Sequence, residues 1–183
     1  MKNIGVILAR FQPIHNGHLA LVKKAAFEND EVHVFIGSAD KFNARNPIPI
    51  SMRSDFAIKA FKDAGLDVNV HWLDDLSNEN DNSHDWGFYL YSKIVTEIQQ
   101  SNFTIYYSDG FEIITSWFPG FILRNNISLS LLARNATESG ISATKVREMI
   151  ILDDPRLKDL VPSCVYDARS NIKNLIEISK LNN

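Results

Sequence analysis

Two short stretches of this chain hold residues whose types and spacing could do chemistry. The first is "ARFQPIHNGH", Ala9 to His18, with His15 and His18 three residues apart, Gly17 between them and Arg10 upstream. It stands where an apolar run ends and a helical pattern begins. The first amides of such a helix lack intrahelical partners and sit at the positive end of its dipole, so they can bind an anion. Both imidazoles could reach one phosphate through ring N–H groups, Arg10 would add a fixed charge, and Gly17 would let the backbone come close to the ligand. Two other readings stand beside this one. A metal pair is the weaker, because a catalytic zinc needs a third protein ligand, and His33, His71 and His84 fall in strand-like runs or in an acidic loop. Incidental turn histidines are the other.

The second stretch is "GISATKVRE", Gly140 to Glu148. Ser142 or Thr144 can cap a helix that contains Lys145 and Arg147, so hydroxyls, free amides and two cations converge at one helix start. Alone this is an ordinary capped helix. Paired with the first stretch, far away in sequence, it suggests a polyphosphate held from both ends. No G-x-G-x-x-G follows the first apolar run and no G-x-x-x-x-G-K-[ST] occurs, which removes the commonest dehydrogenase and kinase readings. Arg53 is a third candidate phosphate ligand, against the alternative of a solvated helix arginine. Trp86 offers an aromatic face for a base or pyridine ring, against a tryptophan that packs a core or lid. Asp40, Asp74 and Asp109 stand at expected strand ends, and none of them is taken as a metal ligand.

These residues need elements to hold them. "NIGVILARF" is a short Ile/Val-rich run bounded by Arg10 and Pro13, the mark of a buried strand. "GHLALVKKAAFEN" follows with helical spacing and puts Leu19, Val22, Ala26 and Phe27 on one expected face. "EVHVFIGSA" reads as a second strand, and the prolines of "DKFNARNPIPIS" break regular structure after it. "SMRSDFAIKAFKDAG" reads as a helix with Ser51 as N-cap and Gly65 as its end. "DVNVHWL", "FTIYYSD" and "ISLSLLA" supply strands three to five, and "WGFYLYSKIVTEIQQ" a helix between the first two of these. "GFEIITSWFPGFILRNN" reads as a short helix broken near Pro119 and followed by a strand. A turn-rich piece from "RNATESG" leads into a helix and one or two more close the chain.

Strand and helix alternate at short spacing, which calls for an α/β fold: a doubly wound parallel sheet with helices on both faces. Ligands of such sheets lie beyond the carboxyl ends of the strands, at the switch in strand order. The first stretch begins at such an end. Residues 1–183 read as one domain, with a small C-terminal helical part at about 141–183.

With 183 residues, 45% of them hydrophobic and 22% charged, the chain is long enough to bury a sizeable core. The formal net charge of -3 argues against a general nucleic-acid binder. A small anionic ligand is still open to it, because local cations can hold one on a mildly acidic background. Cys164 is the single cysteine, forms no internal disulfide and reads as a buried or half-buried thiol. The apolar run Ile4–Ala9 is too short for a signal peptide, and no stretch reaches the roughly 18 apolar residues of a membrane span. The expectation is a soluble, cytoplasmic protein without a membrane partner.

Taken together, "RFQPIHNGH" and "ISATKVRE" resemble the nucleotidyltransferase superfamily, with its H-x-G-H and I-S-x-T-x-x-R motifs. Within it the chain looks like nicotinamide mononucleotide (NMN) adenylyltransferases of the archaeal type, and like the adenylyltransferase half of bacterial bifunctional enzymes that also carry a Nudix domain. "IGSADKFNARNP", the aspartate-rich loop before Trp86 and the closing "DLVPSCV" carry that finer resemblance. It covers about residues 3 to 165 and implies a Rossmann-like nucleotidyltransferase fold; a Nudix sequence is not expected in a chain of this length.

The resemblance implies adenylyl transfer from ATP to NMN, giving NAD and pyrophosphate, with Mg2+ arriving on ATP and no protein metal site. His15 and His18 would contact the ATP phosphates and Arg10 would hold phosphate beside them. Ser142, Thr144 and Arg147 would bind the β- and γ-phosphates, while Asn46 and Trp86 match positions near NMN. Members of the family are often homo-oligomers, and nothing in this sequence sets a subunit number. Between Tyr106 and Pro119 the chain departs from the family. "YYSDGFEIITSWFP" lacks the glycine, histidine and lysine of runs like "GHHKDHSSYYLRMFP", which puts a substrate or nucleotide contact in doubt. Transfer to another phosphorylated small molecule, with an adenylyl or cytidylyl donor, is the alternative enzyme reading. An inactive nucleotide-binding regulator is the alternative from another class.

Overall fold

The structure, a computed structural model, describes residues 2–133 and 140–182. The sheet strands are β1 (Ile4–Ala9), β2 (Glu31–Ile36), β3 (Asn69–Trp72), β4 (Phe103–Tyr107) and β5 (Ile127–Leu131). Between them run α1 (Asn16–Glu28), α2 (Ile50–Asp63), α3 (His84–Ile98), and the pair α4 (Phe111–Trp117) and α5 (Gly120–Asn126). After β5 come α6 (Ala143–Ile151), α7 (Ser163–Asp167) and α8 (Arg169–Ser179), with short 3-10 turns at Pro155–Asp159 and Lys180–Asn182. The segment "RNATES", expected as part of a turn-rich piece, lies outside the described residues.

All strand pairs are parallel and the sheet order is β3-β2-β1-β4-β5, so the chain winds outward from β1 and then returns to its other side. This is the doubly wound Rossmann-like arrangement, with its switch point between β1 and β4. Side-chain alternation sends each strand into two cores. Val32, Val34 and Ile36 pack in one cluster with Leu21, Val22 and Ala25 of α1 and with α2. Ile4, Val6 and Phe35 pack in the other with Leu90 and Ile94 of α3 and Ile114 and Ile122 of α4 and α5. Val146, Ile150, Val165 and Ile172, from α6 to α8, share the first cluster, so the C-terminal helices close over the same core as α1 and α2.

Several local expectations are corrected. The buried face of α1 is Leu21, Val22 and Ala25, and Phe27 is 91% exposed. At about 100° per residue Phe27 stands too far round the helix from Val22 to share its face. Helix α2 starts two residues earlier than a Ser51 cap implies, and its N-cap is Pro49, not Ser51. The extended Pro49 presents its carbonyl to the amide of Arg53 at 3.1 Å, so Ser51 already lies inside the first turn. Pro119 does break its helix, but helix resumes as α5 before β5 forms.

Gly87 on α3 is a position where no side chain fits. A Cβ there would lie 1.8 Å from the carbonyl oxygen of Trp117, at the end of α4. Gly87→Ala is therefore expected to push α4 away and to cost roughly 1–3 kcal/mol of stability, read by denaturant titration.

His33 on β2 is buried, and its Nδ1 is 3.0 Å from Nε2 of His71 on β3, whose Nδ1 faces Glu97 at 3.2 Å. Burial lowers both pKa values below the ordinary 6.5, for His33 with help from His71, and Glu97 opposes the shift at His71. A lowered folded-state pKa means that the unfolded chain binds more protons below pH 6.5. This contribution to stability is complete above pH 6.5 and is lost as pH falls. Thermal stability should drop between pH 6.5 and 5, and His33→Gln should flatten that drop.

Candidate active site

The carboxyl end of β1 runs into a turn held from several sides. Phe11 has φ +48°, a left-handed conformation that a bulky residue rarely adopts, and its ring is buried. That ring packs edge-on to Phe61 at 6.3 Å and to His18 at 4.9 Å. The buried amide of Gln12 donates from Nε2 to the Ile48 carbonyl at 3.1 Å and accepts the Ile48 N–H at 2.9 Å. The first turn is thereby fastened to the loop that precedes α2. The Gln12 carbonyl accepts from Arg147 Nη1 at 2.8 Å, which fastens it to α6 as well.

Helix α1 then begins with His15 as N-cap. The His15 and His18 rings stack with centroids 3.7 Å apart. The His15 backbone N–H donates to His18 Nδ1 at 3.3 Å, so the proton of the neutral His18 ring resides on Nε2, which becomes its donor. Gly17 permits the stack, because a Cβ there would meet the His15 ring at 3.1 Å. One of the helix's first amides is already engaged: Asn16 N–H donates to the Leu160 carbonyl at 3.0 Å, and Asn16 Nδ2 to that of Asp159 at 3.0 Å. The C-terminal segment thus clamps the start of α1.

Across from it, Ser142 caps α6 by accepting the Lys145 N–H at 3.2 Å. Arg10, His15, Gly17, His18, Ser142, Thr144 and Arg147 all line one cleft of about 510 Å3 at the carboxyl ends of β1 and β4. Arg147 Nη2 is 3.4 Å from Thr144 Oγ1. Burial lowers the Arg147 pKa, and the charge of Arg10 lowers it further. Burial also lowers that of Arg10, followed by the charge of Arg45. A crowd of guanidiniums that weaken one another is a site built for an anion.

A second pocket of about 440 Å3 adjoins the cleft and shares Arg10, Arg45, Ile113 and Trp117 with it. Trp86 lines this pocket, its ring 5.6 Å from Tyr89 and edge-on to Trp117 at 6.3 Å. At the seam, Arg10 Nη1 is buried with no hydrogen-bond partner among the described residues, 3.7 Å from Glu79 Oε2. Arg45 Nε faces the same oxygen at 3.7 Å.

Three expected ligands stand elsewhere. Arg53 is fully buried, and its guanidinium donates to the carbonyls of Arg10 (2.8 Å), Gly37 (2.8 Å) and Ser38 (2.9 Å), with its pKa drawn down to about 10, chiefly by burial. It positions strand ends and does not face the cleft. Asn46 is also fully buried; its Nδ2 donates to Glu79 Oε2 at 2.6 Å and so acts on the seam through that carboxylate. Lys145 lies outside the cleft lining, exposed and 3.5 Å from Glu148. Four residues of the site are not singled out by sequence reasoning. Arg45 stands beside Asn46, and Trp117 stands in "SWFP", so both carry a signal. Gln12 and Glu79 have none, since one buried amide or one acid in a polar loop has no local signature.

Arg53→Lys should separate positioning from ligand binding. A lysine cannot serve three carbonyls in a fork, so the variant should lose roughly 2 kcal/mol in a urea titration. Unchanged stability with impaired nucleotide binding would return Arg53 to the ligand role.

A family model described as "Cytidylyltransferase-like" matches residues 6–149. The chain is 29% identical over 187 residues to the nicotinamide-nucleotide adenylyltransferase of Thermococcus onnurineus, covering 99% of this chain and 89% of the relative. It is 28% identical to the enzyme of the same name from Thermococcus kodakarensis, with the same coverage. Among solved structures, the bifunctional NMN adenylyltransferase/ADP ribose pyrophosphatase of Francisella tularensis, complexed with AMP and Mn ion, has the same fold, with TM-score 0.73 at 19% identity. It covers 98% of this chain, which spans about half, 52%, of that protein's length. The match from residue 6 to residue 149 runs from β1 through the turn of the stacked histidines to α6 with Arg147, and by it the chain belongs to the cytidylyltransferase-like family.

Proposed function

We propose that this protein is a nicotinamide-nucleotide adenylyltransferase, which joins the adenylyl group of ATP to NMN and releases NAD and pyrophosphate. One observation carries the reading: the two motif clusters form one cationic cleft, and Arg10 joins it to an aromatic-walled pocket at a seam with an orphan donor. The names of the archaeal relatives support the same reaction.

An oxygen of the NMN phosphate attacks the α-phosphorus of ATP, and that new P–O bond forms as the bond to the β-bridging oxygen breaks. Pyrophosphate leaves with the electron pair. No covalent protein nucleophile is needed, so the residues act by positioning and by stabilising charge. His15 and His18 contact the ATP phosphates, and the Nε2–H of His18 donates to charge that builds on the transferring group. Ser142, Thr144 and Arg147 take the β- and γ-phosphates and then the pyrophosphate. Arg10 gives the acceptor's phosphate the partner its own Nη1 lacks. Trp86 stacks on the pyridinium ring. Asn46 and Arg53 support these groups from behind.

Among the described residues no group of three or more His, Cys, Asp or Glu side chains could hold a metal. Mg2+ enters with ATP, held by phosphates and water, and screens the triphosphate charge.

Purified protein with ATP should release pyrophosphate with a pyridine mononucleotide and not with pantetheine phosphate or glycerol phosphate. Release with neither pyridine mononucleotide sinks the proposal. His18→Ala should cut kcat roughly 10^2- to 10^3-fold while the unfolding midpoint stays close to that of the parent. A variant that unfolds instead would give His18 a structural role.

A further inference from the structure

Gln12 is bonded to both halves of the site, and its side chain faces neither ligand. That side chain is buried, and both ends of its amide are engaged by Ile48. Nε2 donates to the Ile48 carbonyl at 3.1 Å, and Oε1 accepts the Ile48 N–H at 2.9 Å. The main-chain carbonyl of Gln12 accepts from Arg147 Nη1 at 2.8 Å. Ile48, itself fully buried, stands in "NPIP" with a proline on either side. Pro47 and Pro49 have no N–H, so the Ile48 amide is the one main-chain donor of that run, and Gln12 takes it.

The run is also stiff. Each proline fixes its own φ and restricts the residue before it, so Asn46 and Ile48 have little freedom to absorb a displacement. A shift at Ile48 is therefore passed on at both ends. Upstream lie Asn46, whose Nδ2 donates to Glu79 Oε2 at 2.6 Å, and Arg45, whose Nε stands 3.7 Å from the same oxygen. Downstream, the Pro49 carbonyl accepts the Arg53 N–H at 3.1 Å, where α2 begins. On the other side of Gln12, Arg147 lines the nucleotide cleft, with Nη2 3.4 Å from Thr144 Oγ1. Hydrogen bonds and constrained backbone thus connect Arg147 through Gln12 and Ile48 to Arg45.

We infer that Gln12 is a positioning residue that couples the two substrate half-sites. A triphosphate at Arg147 tightens binding of the acceptor at Arg10 and Arg45, and the acceptor tightens binding of the triphosphate. This rests on the adenylyltransferase reading of the same site. A triphosphate held by Arg147 restrains that guanidinium and, through it, the Gln12 carbonyl. The Gln12 amide then holds Ile48 and the segment that carries Arg45 in the arrangement the acceptor's phosphate needs. The second ligand meets a segment already ordered, and less conformational freedom is lost when it binds. The effect is reciprocal, because two linked binding equilibria share one coupling factor. Transfer gains from it, since in-line attack requires both substrates to be held in register at once.

The test measures the Kd of NMN by calorimetry with and without saturating α,β-methylene ATP, whose α–β bridge cannot be cleaved. The parent protein should bind NMN roughly fivefold or more tightly when the analogue is present. Gln12→Met fills a similar space, keeps the carbonyl for Arg147 and removes both bonds to Ile48. It should lower that factor by about threefold or more. A brace without a coupling role would lower the unfolding midpoint and leave the factor as it was. A folded Gln12→Met variant with an unchanged factor therefore overturns the inference, as does a factor of about one in the parent. If Gln12→Met does not fold, the Ile48 amide of the parent decides. Its hydrogen exchange should slow by about threefold or more when the analogue is added without NMN, and unchanged exchange overturns the inference. If neither NMN nor nicotinic acid mononucleotide binds, the adenylyltransferase reading fails, and the same amide decides with the analogue alone. An analogue that does not bind overturns both.

Discussion

A guanidinium with no exposed surface, that of Arg53, gathers the carbonyls of Arg10, Gly37 and Ser38 and so ties the ends of β1 and β2 together. Carbonyls that leave a parallel sheet at its carboxyl edge have no ladder partners there, and a buried one without a donor is costly. One planar fork serves three of them at once. The segments on either side of the anchor depend on it. Arg10 leaves the sheet in a fixed direction, Phe11 is held in its left-handed conformation, and the loop after Ser38 turns back to form a wall of the second pocket.

On that frame the cleft is built from cations that lack enough counter-charge. Arg10, Arg45 and Arg147 crowd together with Glu79 as the carboxylate at the seam. Glu79 is itself held by Asn43 and Asn46 at 2.9 and 2.6 Å, so it orients the arginines from 3.7 Å without using their hydrogen-bond donors. The same geometry explains why a net charge of -3 is no obstacle to binding a triphosphate. Most acidic residues lie outside the cleft lining, and the local field there belongs to a few clustered guanidiniums.

The segment that departs from the family, Tyr106 to Pro119, supplies a wall and no cation. Tyr107, Asp109, Ile113, Ile114 and Trp117 line the cleft, and Ile113 and Trp117 also line the neighbouring pocket. Trp117 Nε1 donates to Asn82 at 3.0 Å, which links α4 to the polar loop before Trp86. Gly87 allows that approach by leaving room for the Trp117 carbonyl. Where the family's histidine and lysine would stand, this chain places Ser108 and Asp109, followed by the apolar Ile113, Ile114 and Trp117.

The succession of strands and helices, the parallel sheet and the two polar turns that line the cleft were largely legible in the sequence. Each is written in neighbours: apolar period, proline and glycine punctuation, a serine before a helix, two histidines around a glycine. The roles of Arg53, Asn46 and Lys145 were not. An arginine one turn into a helix looks the same whether it points to a phosphate, to water or to three carbonyls, because what distinguishes these lies on other segments. Phe27 and Ser51 misled for a related reason, since a helix's buried side and its first residue are set by what packs against it. By itself, then, the sequence determined the elements and the chemistry available at their ends. The tertiary structure alone decided which of those ends meet, bringing Gln12 within 2.8 Å of Arg147 across 135 positions of chain. Local interactions reach only a few residues, and the burial that joins distant ones depends on the whole core.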